Sequence, residues 1–171
     1  MTPSTIDLTV TDEDRRIAAL AAVAVGLTLA EAAIPLPLPG VKPGLANIVT
    51  LLVLYRFGWR AAVWVSLLRI VAGGLALGTF LTPTFVMSLS GGLASLSLLA
   101  LLVRLPRRLL GPVGLSVLAA YAHIGAQLGV VSLWLMPGVN LLPLLALFLG
   151  AAWLSGLVNG LVVANLLEKK P

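Results

Sequence analysis

Six polar side chains could do chemistry in this chain: Glu31, Lys42, Asn47, Arg69, His123 and Gln127. Each lies within or beside a long apolar run. Glu31, Lys42 and Asn47 belong to one stretch, EAAIPLPLPGVKPGLANI, at residues 31–48. His123 and Gln127 are four residues apart, so on a helix they share a face. Charged groups at membrane depth are expensive, and where they persist they have partners or mark a ligand path. An acid, two bases, two amides and an imidazole amount to a recognition set for a polar or anionic small molecule. Each also has a plain structural use. Arg69 can snorkel or satisfy loop carbonyls, His123 can simply hydrogen-bond its neighbours, and Lys42 can sit on an exposed loop.

Composition says what surrounds them. Of 171 residues, 60% are hydrophobic and only 10% charged, and mean hydropathy is +1.10. A soluble domain needs far more charge to cover its surface. Long apolar runs with short polar breaks instead predict a polytopic helical membrane protein. The period-two alternation of a β-barrel is missing. The net charge of +5 is then an orientation signal and gives no case for nucleic-acid binding. There is no cysteine, which removes disulfides, iron–sulfur clusters and thiolate metal sites. A single histidine cannot make a bis-histidine haem site. Three of the six acids cluster at Asp12–Asp14, leaving a metal-dependent enzyme short of ligands. No cofactor is expected.

The elements that must position the polar set are six spans: 17–34, 45–55, 61–81, 85–103, 113–135 and 142–167. Residues 1–16 and 168–171 form short tails around this 17–167 transmembrane domain. AEA at Ala30–Ala32 resembles a signal-peptide cleavage site. The acidic n-region and the specialised stretch that follows predict that the first span is retained. The second span is too short to cross about 30 Å of hydrocarbon. Either the preceding loop dips into the bundle or the helix starts higher than its prolines suggest. Pro35, Pro37, Pro39 and Pro43 keep residues 35–44 from becoming helix, and non-helical backbone at this depth is tolerated where it lines a cavity. With the N-terminus inside, nine lysines and arginines fall on the cytoplasmic side and Lys42 alone outside. This strong positive-inside bias predicts cytoplasmic N- and C-termini. Trp59 and Trp134 fall near span ends, as interfacial tryptophans do. By rise per residue, Glu31 sits roughly 20 Å and Arg69 roughly 12 Å from the inner boundary, and a long arginine reaches toward the glutamate. The 35–44 loop would cap a polar pocket, with Lys42 and Asn47 facing the ligand.

Small residues form two stripes at four-residue spacing: Ala18, Ala22, Gly26 and Ala30 on the first helix, and Ala152, Gly156, Gly160 and Ala164 on the sixth. Each lets another backbone approach closely, from within the bundle or from a partner subunit. Gly73, Gly74, Gly78 and the SLSGGLAS stretch at 88–95 likewise permit close packing or a helix break. None is a phosphate loop, because the GxxxxGK[ST] pattern is absent.

PLPGVKPGLANIVTLLVLY (37–55), SLLRIVAGGLALGTFLTPTF (66–85), SLSGGLASL (88–96) and GPVGLSVLAAYAHIGAQL (111–128) together resemble a small bacterial membrane family. It is called Gx transporter and also labelled heptaprenyl diphosphate synthase component I. The family commonly has asparagine directly after the histidine, where this chain has Ile124. It is grouped with the substrate-binding S components of energy-coupling-factor transporters. The resemblance therefore implies a six-helix bundle in the bacterial inner membrane that captures a vitamin-like substrate under the loop between the first two helices. It also implies docking on a transmembrane coupling subunit through small residues of the first helix, here Ala18, Ala22 and Gly26. The ATPases would be separate chains. The synthase label implies a different role. Joining prenyl diphosphates takes paired DDxxD motifs to hold magnesium, and TDEDRR at 11–16 is the only acid cluster. Under that label the chain is an accessory, not the catalyst. A membrane subunit of a flavin-linked electron-transfer assembly is a third class, and this chain could hold no haem or cluster of its own.

Overall fold

A computed structural model describes residues 10–34, 44–104 and 110–169. It contains α1 (Asp12–Ala33), α2 (Leu45–Phe57), α3 (Trp59–Ala76), α4 (Pro83–Leu102), α5 (Pro112–Val130) and α6 (Leu142–Glu168), with a π turn, Val131–Leu135, continuing α5. Among the described residues there is no strand. Five helices are long and apolar enough to cross a membrane, counting α5 with its π turn, and α2 is a shorter apolar helix. The protein is a multi-pass helical membrane bundle.

Local sequence sets the helix ends. Thr11 and Asp14 cap α1 reciprocally, each side chain accepting the other's backbone N–H, which satisfies two donors the helix leaves open. Pro83 and Pro112 open α4 and α5, where the missing N–H costs nothing. Gly58, at φ +86°, ends α2 and begins α3 in a single residue. The expected third span, 61–81, is too long at its far end. Helix α3 stops at Ala76, and the chain then passes through positive φ at Gly78 (+66°) and Leu81 (+61°), backbone that a right-handed helix cannot hold.

Helices α1, α2 and α3 pack together, α4 packs on α5 and α5 on α6, and the two groups meet through α2 with α6 and α3 with α4. The core fills one end of the bundle, where Val53, Ala61, Val65, Leu99, Leu115 and Val163 interlock. Arg56 donates to the Leu166 carbonyl at 2.9 Å and ties α2 to α6 at that same end. The surface is apolar, as lipid contact requires: Leu133 is 84% and Leu142 71% exposed.

The two small-residue stripes have opposite fates. On α6, Gly156 and Gly160 lie so near α5 that an added Cβ would meet the Cα atoms of Val117 at 2.7 Å and Val113 at 2.5 Å. This stripe serves packing inside the chain. On α1, Ala18, Ala22, Gly26 and Ala30 are all exposed, and a Cβ on Gly26 would meet nothing within 4 Å. Replacing Gly160 by Leu should therefore overpack the α5–α6 seam and cost about 1–3 kcal/mol. Gly26→Leu should leave stability unchanged or slightly raised. Thermal unfolding of the two variants in one detergent checks the contrast.

Candidate functional site

The short helix α2 builds the site. At about 1.5 Å per residue its thirteen residues span roughly 20 Å, so it cannot reach both faces of the bilayer and its first turn begins in the interior. The bond from Asn159 Nδ2 to the Gly44 carbonyl, at 3.1 Å, fixes that level, because Asn159 lies about two-thirds of the way along α6. A helix start in an apolar medium exposes backbone N–H groups that need acceptors. Glu31, only 5% exposed, supplies one by accepting the Leu45 N–H. Its negative charge also suits the positive end of the helix. Gly44 precedes the helix at φ +71°, and a Cβ there would crowd the Asn47 and Asn159 amides at 3.2 and 3.4 Å.

Asn47 accepts from Arg69 Nη2 at 3.3 Å, joining α2 to α3. Glu31 and Arg69 wall the same cavity, and the arginine's hydrogen bond goes to the Asn47 amide. On α5, Gln127 Nε2 stands 3.0 Å from His123 Nε2. The imidazole lies flat against Gly91 of α4, where any Cβ would stand 2.7 Å from the ring. The glycine density of SLSGGLAS makes room for this histidine.

These groups face one cavity of about 360 Å³, within the size range of small-molecule sites. All six helices line it, at the end of the bundle opposite the core. Glu31, Asn47, Arg69, His123 and Gln127 are among its walls, and Lys42 lies outside the described residues, as does the rest of the 35–43 loop. Sequence reasoning did not select Thr28, Ser88 or Ser155, or the aromatic wall of Phe85 and Phe148. Phe85 is wedged between Gly74, where a Cβ would come within 2.9 Å of its ring, and Phe80, with ring centroids 4.9 Å apart. The Gly73-Gly74 pair was the available signal for a bulky neighbour. Phe148 carried none, sitting in an unbroken apolar run.

Below this chamber a second void of about 30 Å³ is lined by Thr50, Ser66, Ser95, Ser116 and Asn159. It has room for about one water. Ser95 donates to the Ala119 carbonyl at 2.8 Å. Asn159 bridges α6 and the start of α2. Among the described residues no three acidic or histidine side chains gather as metal ligands do.

A membrane bundle with a polar chamber at one end and a packed core at the other is a multi-pass integral membrane protein with an internal cavity. More particularly, the chain belongs to the heptaprenyl diphosphate synthase component I family, whose model matches residues 20–166. No curated protein and no solved structure gives a significant match. The DDxxD motif by which prenyl-condensing enzymes hold magnesium does not occur in the sequence.

If the Glu31 carboxylate holds the start of α2, Glu31→Ala strands a buried N–H and should cost about 1–3 kcal/mol. Glu31→Gln keeps an acceptor oxygen and should cost less. Unfolding by SDS in mixed micelles, run on both variants beside wild type, measures the difference. Equal losses would assign the effect to charge and not to capping.

Proposed function

We propose that the protein is the substrate-binding membrane subunit of a small-molecule uptake transporter in the bacterial cytoplasmic membrane, working with a separate coupling subunit and ATPases. The observation that carries this is the chamber, which is large enough for a metabolite and walled by all six helices. Charged and amide groups line it among aromatic and aliphatic ones. The positive-inside bias of the sequence turns the chamber outward and both tails inward. Glu31, Lys42, Asn47, Arg69, His123 and Gln127 are the proposed binding residues, with the 35–44 loop above them.

The exposed stripe of Ala18, Ala22 and Gly26 supports a docking role for α1. A lipid-facing helix has no need of small residues at four-residue spacing, whereas a helix that meets another helix closely does. Transport then requires the partner to bind the inward and outward states with different affinity.

The family's description favours a second function, a membrane accessory of polyprenyl diphosphate synthesis that associates with the catalytic component. The two differ in partner. Tagged protein solubilised mildly from its native membrane and analysed by quantitative mass spectrometry should carry a coupling subunit and ATPases in stoichiometric amounts. Gly26→Leu should lower their recovery about tenfold, the effect of losing roughly 1.4 kcal/mol of helix packing. Recovery of a soluble prenyl synthase in their place would establish the accessory role.

A further inference from the structure

Resting on the transport function above, we propose that the chamber takes an amphiphilic solute with one compact anionic group, a carboxylate or phosphate. Arg69 and His123 hold that group, and an apolar body lies against Phe85, Phe148 and Ile124.

Two nitrogens that wall the same chamber have hydrogen-bonding capacity left over. Arg69 offers five N–H donors; Nη2 is engaged by Asn47, while Nε is buried and makes no hydrogen bond among the described residues. His123 Nδ1 is likewise buried without a hydrogen bond. With the Gln127 amide placed as donor to His123 Nε2, 3.0 Å away, the neutral ring carries its proton on Nδ1. Both leftover groups are therefore donors. A buried donor without an acceptor is costly, and a guanidinium more so.

The ligand's charge follows from what Arg69 touches. Its hydrogen-bond partner, Asn47, is neutral, and Glu31 is engaged at the positive end of α2. An anion at Arg69 answers the guanidinium charge and accepts its open Nε–H, and His123 stands on the wall of the same cavity. Charge-assisted bonds of this kind are about twice as strong as neutral ones. A cationic group would meet a guanidinium and two N–H donors. The remaining walls set the ligand's other end: Ile70, Phe85, Ile124 and Phe148 are apolar, and Phe85 is held rigidly by Gly74 and Phe80.

The test uses full-length protein in phosphatidylcholine nanodiscs, which carry no net lipid charge, and reads thermal shift and tryptophan fluorescence. The probes are 3-phenylpropionate, phenyl phosphate, 3-phenylpropionamide and 3-phenylpropylammonium. The two anions should bind at least about tenfold more tightly than the amide and the ammonium, with Arg69→Gln abolishing that preference and Arg69→Lys keeping part of it. The wild-type selectivity stands even where Arg69→Gln fails to fold. Equal binding of all four probes, preference for the ammonium, or no binding by any of them would overturn the proposal. Repeating the titration in phosphatidylglycerol nanodiscs separates two sources of the anion. An unchanged response assigns the site to a free solute, and a competed response assigns it to a lipid head group. Co-purification of a coupling subunit is scored separately. Anion selectivity without that partner would keep this inference and remove the transport function, and the partner without selectivity would do the reverse.

Discussion

The start of α2 is the constraint on which the rest of the bundle depends. A helix that begins inside an apolar medium leaves backbone N–H groups with no water to turn to. Glu31 answers one of them, and groups from two further helices tie down the same turn. Glu31 on α1 accepts from Leu45, Asn159 on α6 holds the Gly44 carbonyl, and Asn47 of α2 itself accepts from Arg69 on α3. None of these polar residues would be tolerated at this depth alone. Together they convert an expensive helix start into a junction between the two halves of the fold.

The chamber is a consequence of the same fact. Because α2 begins low, its first turn forms the floor of the cavity, and the other five helices wall it. The opposite end has no such shortfall, and there Val53, Val65, Leu99 and Val163 fill the space between helices. Glycine placement completes the division. Gly156 and Gly160 draw α6 onto α5, Gly91 seats an imidazole, and Gly74 seats an aromatic wall. On α1 the small-residue stripe faces outward, and among the described residues nothing packs within 4 Å of Gly26, so close packing inside the described bundle does not account for it.

Much of this was legible in the sequence, for physical reasons. Long apolar runs and basic turns gave six spans, because a bilayer dictates span length and charge placement more strictly than water does. The shortness of the second span pointed to either a dipping loop or a helix that starts higher, and α2 starts at Leu45, where the span was expected to begin. The gathering of Glu31, Asn47, Arg69, His123 and Gln127 at one chamber follows from depth counting and helical spacing, which are one-dimensional rules. What the sequence withheld was rotational. The stripes on α1 and α6 look alike as text, and only the fold distinguishes the one that packs from the one that does not. The end of α3 was misplaced for a related reason: GGLALGTFL is apolar enough to continue a span, and its glycines turn it at Gly78. Phe148 was invisible because an apolar run gives no sign of which member faces a cavity.

The polar set also separates into two jobs that the sequence could not tell apart. Glu31 and Asn47 spend their acceptors on the protein itself, one on a helix terminus and one on Arg69. A buried carboxylate used in this way is anchored, since drawing it away would strand the Leu45 N–H it now serves. Gln127 is occupied in fixing the histidine. Arg69 Nε and His123 Nδ1 are the nitrogens in the chamber whose donors go unanswered. Residues that look equally functional as a list therefore divide by their hydrogen-bond accounts. The acid and the amides are tied to the chamber's own walls, and the guanidinium and the imidazole carry the proposed contact with an anionic group.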